Sequence, residues 1–198
     1  MNTKHIVVVL VLCIVSVCFA FADSSDTSAG FGIVWSYING NSFVPETSIE
    51  ILDISENVLE TIEENGMNRV RDDIELSVSD DEQYAFILKY TSNVSGKHTI
   101  SYRVSPLYNQ AADLYNGYTL RYALNSANPA ISAGGTLAVG NNGNQTYPSN
   151  SSDFNTSFVL PSLNNPVSLY IQFYVTLATE ELPAGSNKST IVIIEEAV

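Results

Sequence analysis

Residues 167–177 alternate without a break. Val167, Leu169, Ile171, Phe173, Val175 and Leu177 fall on one parity, and Ser168, Tyr170, Gln172, Tyr174 and Thr176 fall on the other. Successive side chains of an extended chain point to opposite faces, so the pattern is that of a strand with one buried face. A chain that carries such a strand is committed to a sheet with a covered side. The run stops at Leu182-Pro183-Ala184-Gly185, and a second strand follows at 188–195, where Ile191, Val192, Ile193 and Ile194 stand in a row. Four apolar residues in succession suit a strand covered on both faces. The pattern predicts that 166–198 forms an inner hairpin on which the other strands stack.

The same signal recurs upstream. Residues 31–38 read as the first strand, with Phe31, Ile33, Trp35 and Tyr37 on one face, before a turn at Asn39-Gly40-Asn41. Residues 47–66 read two ways. Ile51, Ile54, Val58 and Ile62 stand at helical spacing, Thr47 with Glu50 resembles a capping box, and Asn65-Gly66 suits a helix end. Read instead as strands, 48–54 and 58–63 flank a turn at Ser55-Glu56-Asn57. Asn65-Gly66 then becomes a tight hairpin turn, because both residues tolerate positive φ. That hairpin brings Glu60 and Glu63 near Arg69 and Arg71, and the strand reading is the one adopted.

Further strands are expected at 74–79, with Ile74, Leu76 and Val78 inward, and at 84–92 and 99–104, read as a hairpin closed by Asn93-Val94-Ser95-Gly96. Residues 108–117 read as a loop or short helical turn. Strands at 118–124, 130–139 and 154–160 follow, the second broken by Gly134-Gly135, with a long Asn-, Gly- and Ser-rich loop at 140–153. Nine to eleven short strands separated by turn signals predict an all-β chain: one antiparallel immunoglobulin-like β-sandwich over 23–198.

The start of the chain has a separate role. Lys4 and His5 precede an apolar run over 6–21, and Ala20-Phe21-Ala22 places small residues where a signal peptidase reads. The expectation is a signal peptide at 1–22, cleaved before Asp23, and a secreted chain in the periplasm, at the cell surface or outside the cell. The run is shorter than the roughly 20 residues a spanning helix needs, so no membrane span is expected in the mature chain. Both cysteines, Cys13 and Cys18, fall inside the signal. The mature chain then has no disulfide and no thiol chemistry.

Charge narrows the partners. Eight basic residues stand against 21 acids, for a net charge of −13. Nucleic acid and anionic lipid are poor partners for such a surface. Thirteen of the acids lie between Glu46 and Glu82, and only Asp113 and Asp153 lie between 83 and 179. Asn93, Asn144, Asn150, Asn155 and Asn187 head Asn-x-Ser/Thr sequons, which matter only in a host that glycosylates them.

Reactive constellations are sparse. His98 is the one histidine after the signal. A nucleophile needs a base held against it, and a zinc site needs several Cys or His ligands, so His98 reads as structural or solvated. Asp72-Asp73 and Asp80-Asp81-Glu82 flank one strand and would suit a hard cation such as calcium. They lack calcium-loop spacing, and read as an acidic edge that deters strand-to-strand aggregation. No carboxylate pair is singled out for glycoside hydrolysis. No catalytic, metal-binding or cofactor-binding residue is assigned, and no cofactor is expected. Tyr102, Tyr108, Tyr115, Tyr118 and Tyr122 are interleaved with Asn109, Gln110, Asp113 and Asn116. Aromatic rings beside amides suit a sugar, which makes Tyr108, Tyr115 and Tyr118 candidate glycan contacts. Against that stands the plainer role of Tyr118 and Tyr122 as strand residues half buried in the sheet.

Residues 168–194, SLYIQFYVTLATEELPAGSNKSTIVII, resemble the end of fimbrial subunits and spore coat protein U-like domains. Those families close with an alternating strand, a Pro-Ala-Gly-type turn and a final Thr/Ile/Val strand. The chain departs from them in lacking a disulfide and in having Asn187 where Tyr usually follows the turn. The resemblance implies an immunoglobulin-like sandwich and subunit assembly by strand exchange. An extended segment can add to a sheet edge, and the candidate donor is 31–38, whose Phe31, Ile33, Trp35 and Tyr37 follow a polar lead. The expected function is that of a secreted, non-catalytic protein of a bacterial envelope or surface, acting by binding or subunit assembly. Its expected partners are itself or other envelope subunits. The alternative is a carbohydrate-binding module.

Overall fold

The computed structural model describes residues 27–38, 47–125, 131, 133–140, 152–161 and 165–197. The predicted signal peptide, the turn at Asn39-Gly40-Asn41, most of the 140–153 loop and the sequons at Asn144 and Asn150 lie outside the described residues, as does the side chain of Tyr37. No helix among the described residues is long and apolar enough to cross a membrane.

The chain is an all-β sandwich. It shuttles between a nine-stranded and a five-stranded sheet. β1 (Ser28–Ile38) lies in the larger sheet, and β2 (Thr47–Leu52) crosses to the smaller. β3 (Thr61–Glu64), β4 (Met67–Val70) and β5 (Ile74–Leu76) return to the larger sheet. β6 (Gln83–Ser92) joins the smaller sheet; β7 (Gly96–Val104), β8 (Leu107–Asn109) and β9 (Leu114–Asn116) join the larger. β10 (Tyr118–Asn125) and β11 (Gly134–Val139) are in the smaller sheet, β12 (Ser152–Leu160) in the larger, β13 (Val167–Leu177) in the smaller and β14 (Ser186–Ala197) in the larger. The small sheet runs β11-β10-β13-β6-β2, and the long path of the large one is β12-β7-β14-β1-β4-β3.

The fourteen strands among the described residues exceed the nine to eleven expected. The surplus comes from three-residue strands, such as β8 and β9 in the stretch read as a loop or helical turn. Two expected hairpins are also corrected. β6 and β7 lie in opposite sheets, and so do β13 and β14. A polar turn between alternating strands suits an arch between layers as well as a hairpin within one, because both need only an inward apolar parity. β14 is likewise not covered on both faces. Ile191 and Ile193 are fully buried, while Val192 and Ile194 are only partly covered. These two line an outer groove of about 310 Å³ beside Arg103 and Asp153.

The core follows the parity rule. On β13, Leu169, Ile171, Phe173, Val175 and Leu177 are buried. β1 contributes Ala29, Phe31, Ile33 and Trp35. Each large side chain withdrawn from water contributes about 1.5–3 kcal/mol before ordering costs. Tyr102 of the large sheet meets Phe173 of the small one edge-on at 5.4 Å, and Phe31 meets Tyr118 edge-on at 5.2 Å.

Between 47 and 70 the chain is built of strands and turns, with no helix: it turns at Ile54-Ser55-Glu56, where Glu56 takes φ 65°. Asn65 (φ 54°) and Gly66 (φ 78°) form the tight turn of the β3–β4 hairpin. Its ion pairs are Glu60–Arg71 and Glu64–Arg69. Glu64 replaces the expected Glu63 because Ile62 lies opposite Arg69, and residues directly opposite one another share a face. Glu63, one residue along, points to the other side. Gly134-Gly135 does not break a strand; it opens β11. A Cβ on Gly135 would lie 2.9 Å from the Tyr122 ring, so this position admits only glycine without a shift of the ring.

Candidate functional site

β1 is the least ordinary strand of the sandwich. It pairs parallel with β14 over its whole length, from Ser28 opposite Ser186 to Ile38 opposite Glu196. Its other edge is covered in two short pieces. Ala29, Gly30 and Phe31 pair with β5, and Val34 and Trp35 pair with β4. The first strand thus lies against the last, with its apolar face in the core of its own chain. Phe31, Ile33 and Trp35 are at most 3% exposed. Asn187 fastens the start of this pair. Its amide Nδ2 donates to the carbonyls of Ser28, Pro183 and Gly185, and its Oδ1 accepts from Asn109 Nδ2.

The tyrosine-rich stretch divides. Tyr108 on β8 and Tyr115 on β9 are directly opposite and partly exposed, with ring centroids 4.7 Å apart. The Tyr108 hydroxyl donates to Asp113 Oδ1 at 3.0 Å, and that bond, with some burial, holds its pKa above the usual phenol value. Tyr118 does not join them. It is 4% exposed, its ring packs on Phe31, and its hydroxyl donates to the Ser105 carbonyl and bonds Ser189 Oγ. Burial pushes its hydroxyl pKa well up. A side chain so enclosed cannot touch a surface glycan, which removes Tyr118 from the candidate contacts. Tyr122 is half buried in the sheet, as the plainer reading expected.

The acidic residues disperse. Asp73 is paired with Lys188. Asp80 accepts from the backbone N–H and the hydroxyl of Thr179, which lowers its pKa. Glu82 meets the Arg121 guanidinium through both oxygens, and that bond holds its carboxyl below the usual range. Among the described residues, no group of three or more His, Cys, Asp or Glu could hold a metal ion.

One polar cluster escaped the sequence reading. His98, read from the sequence as structural or solvated, is 1% exposed and stacked on Phe158. Its Nδ1 lies 2.8 Å from the Tyr90 hydroxyl, and that hydroxyl donates to Glu195 Oε1 at 2.8 Å. Burial first, then the Glu195 carboxylate, push the Tyr90 hydroxyl pKa far up, so it remains a protonated phenol. A signal was present in β14. Ile191, Ile193 and Glu195 share the inward parity, and a carboxylate at the third of these positions needs a buried partner.

Compared with known proteins, the chain matches no family model, and no curated protein matches it.

Proposed function

We propose that this protein is a secreted, non-catalytic β-sandwich of a bacterial envelope or surface that acts by subunit assembly. The observation that carries the reading is the placement of β1. This strand supplies Ala29, Phe31, Ile33 and Trp35 to the core, yet among the described residues only five of its own are paired on the edge away from β14. The segment before it, 23–27, is Asp-Ser-Ser-Asp-Thr, a polar tether. The same strand from a second copy would meet the same groove and the same register along β14. Exchange then costs no contact that the closed monomer makes, apart from the association entropy.

The test uses the mature chain and a form lacking 23–38. Under the proposal, the full chain forms a ladder of oligomers at high concentration. The shortened form is rescued by a synthetic peptide of 28–38 and no longer polymerises. A full chain that stays strictly monomeric by light scattering, with Trp35 fluorescence that of a buried indole, overturns it.

A second reading rests on Tyr108 and Tyr115, two paired rings on a partly exposed hairpin beside Asp113. They suit the C–H face of a sugar, and they make the protein a carbohydrate-binding module without Tyr118. Saturable binding on a glycan array, lost in Tyr115→Ala, supports this reading. A blank array removes it.

A further inference from the structure

A cleft of about 210 Å³ opens in the acid-rich stretch, where residues of both sheets meet. Ala85 reaches it from β6 of the small sheet, Val70 from β4 and Ile74 from β5 of the large one. Leu59 comes from the connection between β2 and β3. Val70 and Ala85 are at most 5% exposed, and Leu59 and Ile74 are partly buried against the core, so the floor is apolar. Backbone bonds fix the walls. The Leu59 N–H donates to the Ile51 carbonyl and the Arg71 N–H to the Glu60 carbonyl, each at 2.8 Å.

Four carboxylates complete the lining: Asp53, Glu60, Asp72 and Asp73. Glu60 and Asp72 are exposed and the other two partly so, which sets the acids toward solvent with the apolar groups beneath. Two of the four are already neutralised, Glu60 by Arg71 and Asp73 by Lys188. Arg69 is taken by Glu64. Asp53 accepts from the Ser55 and Asn57 N–H groups and from the Asn57 amide, but it faces no cation. Asp72 has neither a hydrogen bond nor an ion pair among the described residues. Two negative charges are thus left over a small apolar floor. The four acids do not converge on one point as metal ligands do.

We propose that this cleft docks a basic segment of another protein, which seats one apolar side chain on the floor and sets flanking Lys or Arg residues against Asp53 and Asp72. Size and charge select this occupant. The cleft is smaller than the roughly 300 Å³ at which small-molecule sites begin, so it takes a single side chain. A bare ammonium would be stripped of water on that floor without a partner, whereas an apolar group gains there and a cation gains at the rim. Ile54 and Val58, next in the chain to Asp53 and Leu59, are 58% and 57% exposed and widen the apolar surface for a partner to cover. A second copy of this chain does not supply the charge. Of its basic residues among those described, all but Lys97 are already paired with its own acids.

The experiment is fluorescence anisotropy of a labelled peptide, Gly-Lys-Leu-Lys-Gly, titrated with the mature chain at about 0.05 M salt, where exposed charges are little screened. Saturable binding is expected. Replacing the peptide leucine by serine should weaken it at least about tenfold, since the seated side chain is lost. Asp72→Asn should weaken it about fivefold, and the side chain it changes has no bond to lose in the free protein. Asp81→Asn removes the same charge from an exposed acid outside the cleft, and should change binding less than about twofold. No saturable binding up to about 1 mM overturns the proposal. So does a serine peptide that binds as well as the leucine peptide, or an equal loss in the two protein variants, which would mean attraction to net charge alone. Should a variant not fold, amide shift mapping of the wild type locates the peptide. Changes centred on Leu59, Val70, Ile74 and Ala85 support the site, and changes centred elsewhere overturn it.

Discussion

Asn187 stands on the inward parity of β14, where the strand pattern gives its neighbours Ile191 and Ile193 to the core. It is fully buried, and its side chain is used up by three carbonyl oxygens and one amide donor. The turn after Pro183 leaves partly buried backbone acceptors at Pro183 and Gly185, and one amide ties them to the start of β1 at Ser28. Asn187→Asp keeps the shape and removes the donor. It sets a carboxylate against carbonyl dipoles in a dry site, and the expected loss is about 3 kcal/mol or more, read as a shift of the urea midpoint. The sequon at Asn187 is closed for the same reason, since a glycan needs that nitrogen. Peptide mass mapping of folded protein from a glycosylating host should find Asn187 bare; a glycan there would mean that the native chain leaves this turn open.

The β3–β4 hairpin is the element whose geometry follows most directly from local chemistry. Asn65 and Gly66 both take positive φ, which is what a two-residue turn matched to the twist of its strands requires. Gly66→Ala meets open space, so its cost is backbone strain alone, about 1 kcal/mol, measurable by thermal unfolding. A neutral result would mean that the hairpin melts apart from the core. The turn was legible in the sequence because two adjacent residues determine it. The burial of Leu169 to Leu177 was legible too, because period-two alternation fixes the inward face of a strand. Alternation does not name the neighbouring strand. β6 and β7, or β13 and β14, present the same parity to one core whether they share a sheet or face each other across it. β8 and β9 are too short to show a period at all. The Tyr118 hydroxyl, bonded to Ser105 and Ser189, depends on contacts 13 and 71 residues away. The same distance hid Glu195 from Tyr90, 105 residues apart.

For the whole molecule, charge acts on stability beside the core. Its cations are largely committed to the acid-rich stretch: Lys89 to Glu50, Arg71 to Glu60, Arg69 to Glu64, Lys188 to Asp73 and Arg121 to Glu82. Several of these pairs cross between elements. Glu50–Lys89 joins β2 to β6, and Asp73–Lys188 ties the segment before β5 to β14. Thirteen acids between 46 and 82 still outnumber the available cations, so this stretch of the chain repels itself. Two opposite effects of salt follow. Screening weakens exposed ion pairs, each worth about 0–1 kcal/mol, and it also weakens the repulsion summed over a net charge of −13. The Debye length falls from about 20 Å to about 4 Å between roughly 0.02 and 0.5 M salt. Paired charges lie within about 4 Å of one another, inside both lengths, whereas the unpaired acids are spread over strands and turns of both sheets and are screened from one another only at the higher salt. Repulsion therefore loses more than attraction does. The melting temperature of the mature chain should rise by several degrees over that range in sodium chloride, a salt with little specific effect. A fall would show that the five pairs outweigh the excess charge, and that the acidic stretch holds the sandwich together rather than straining it.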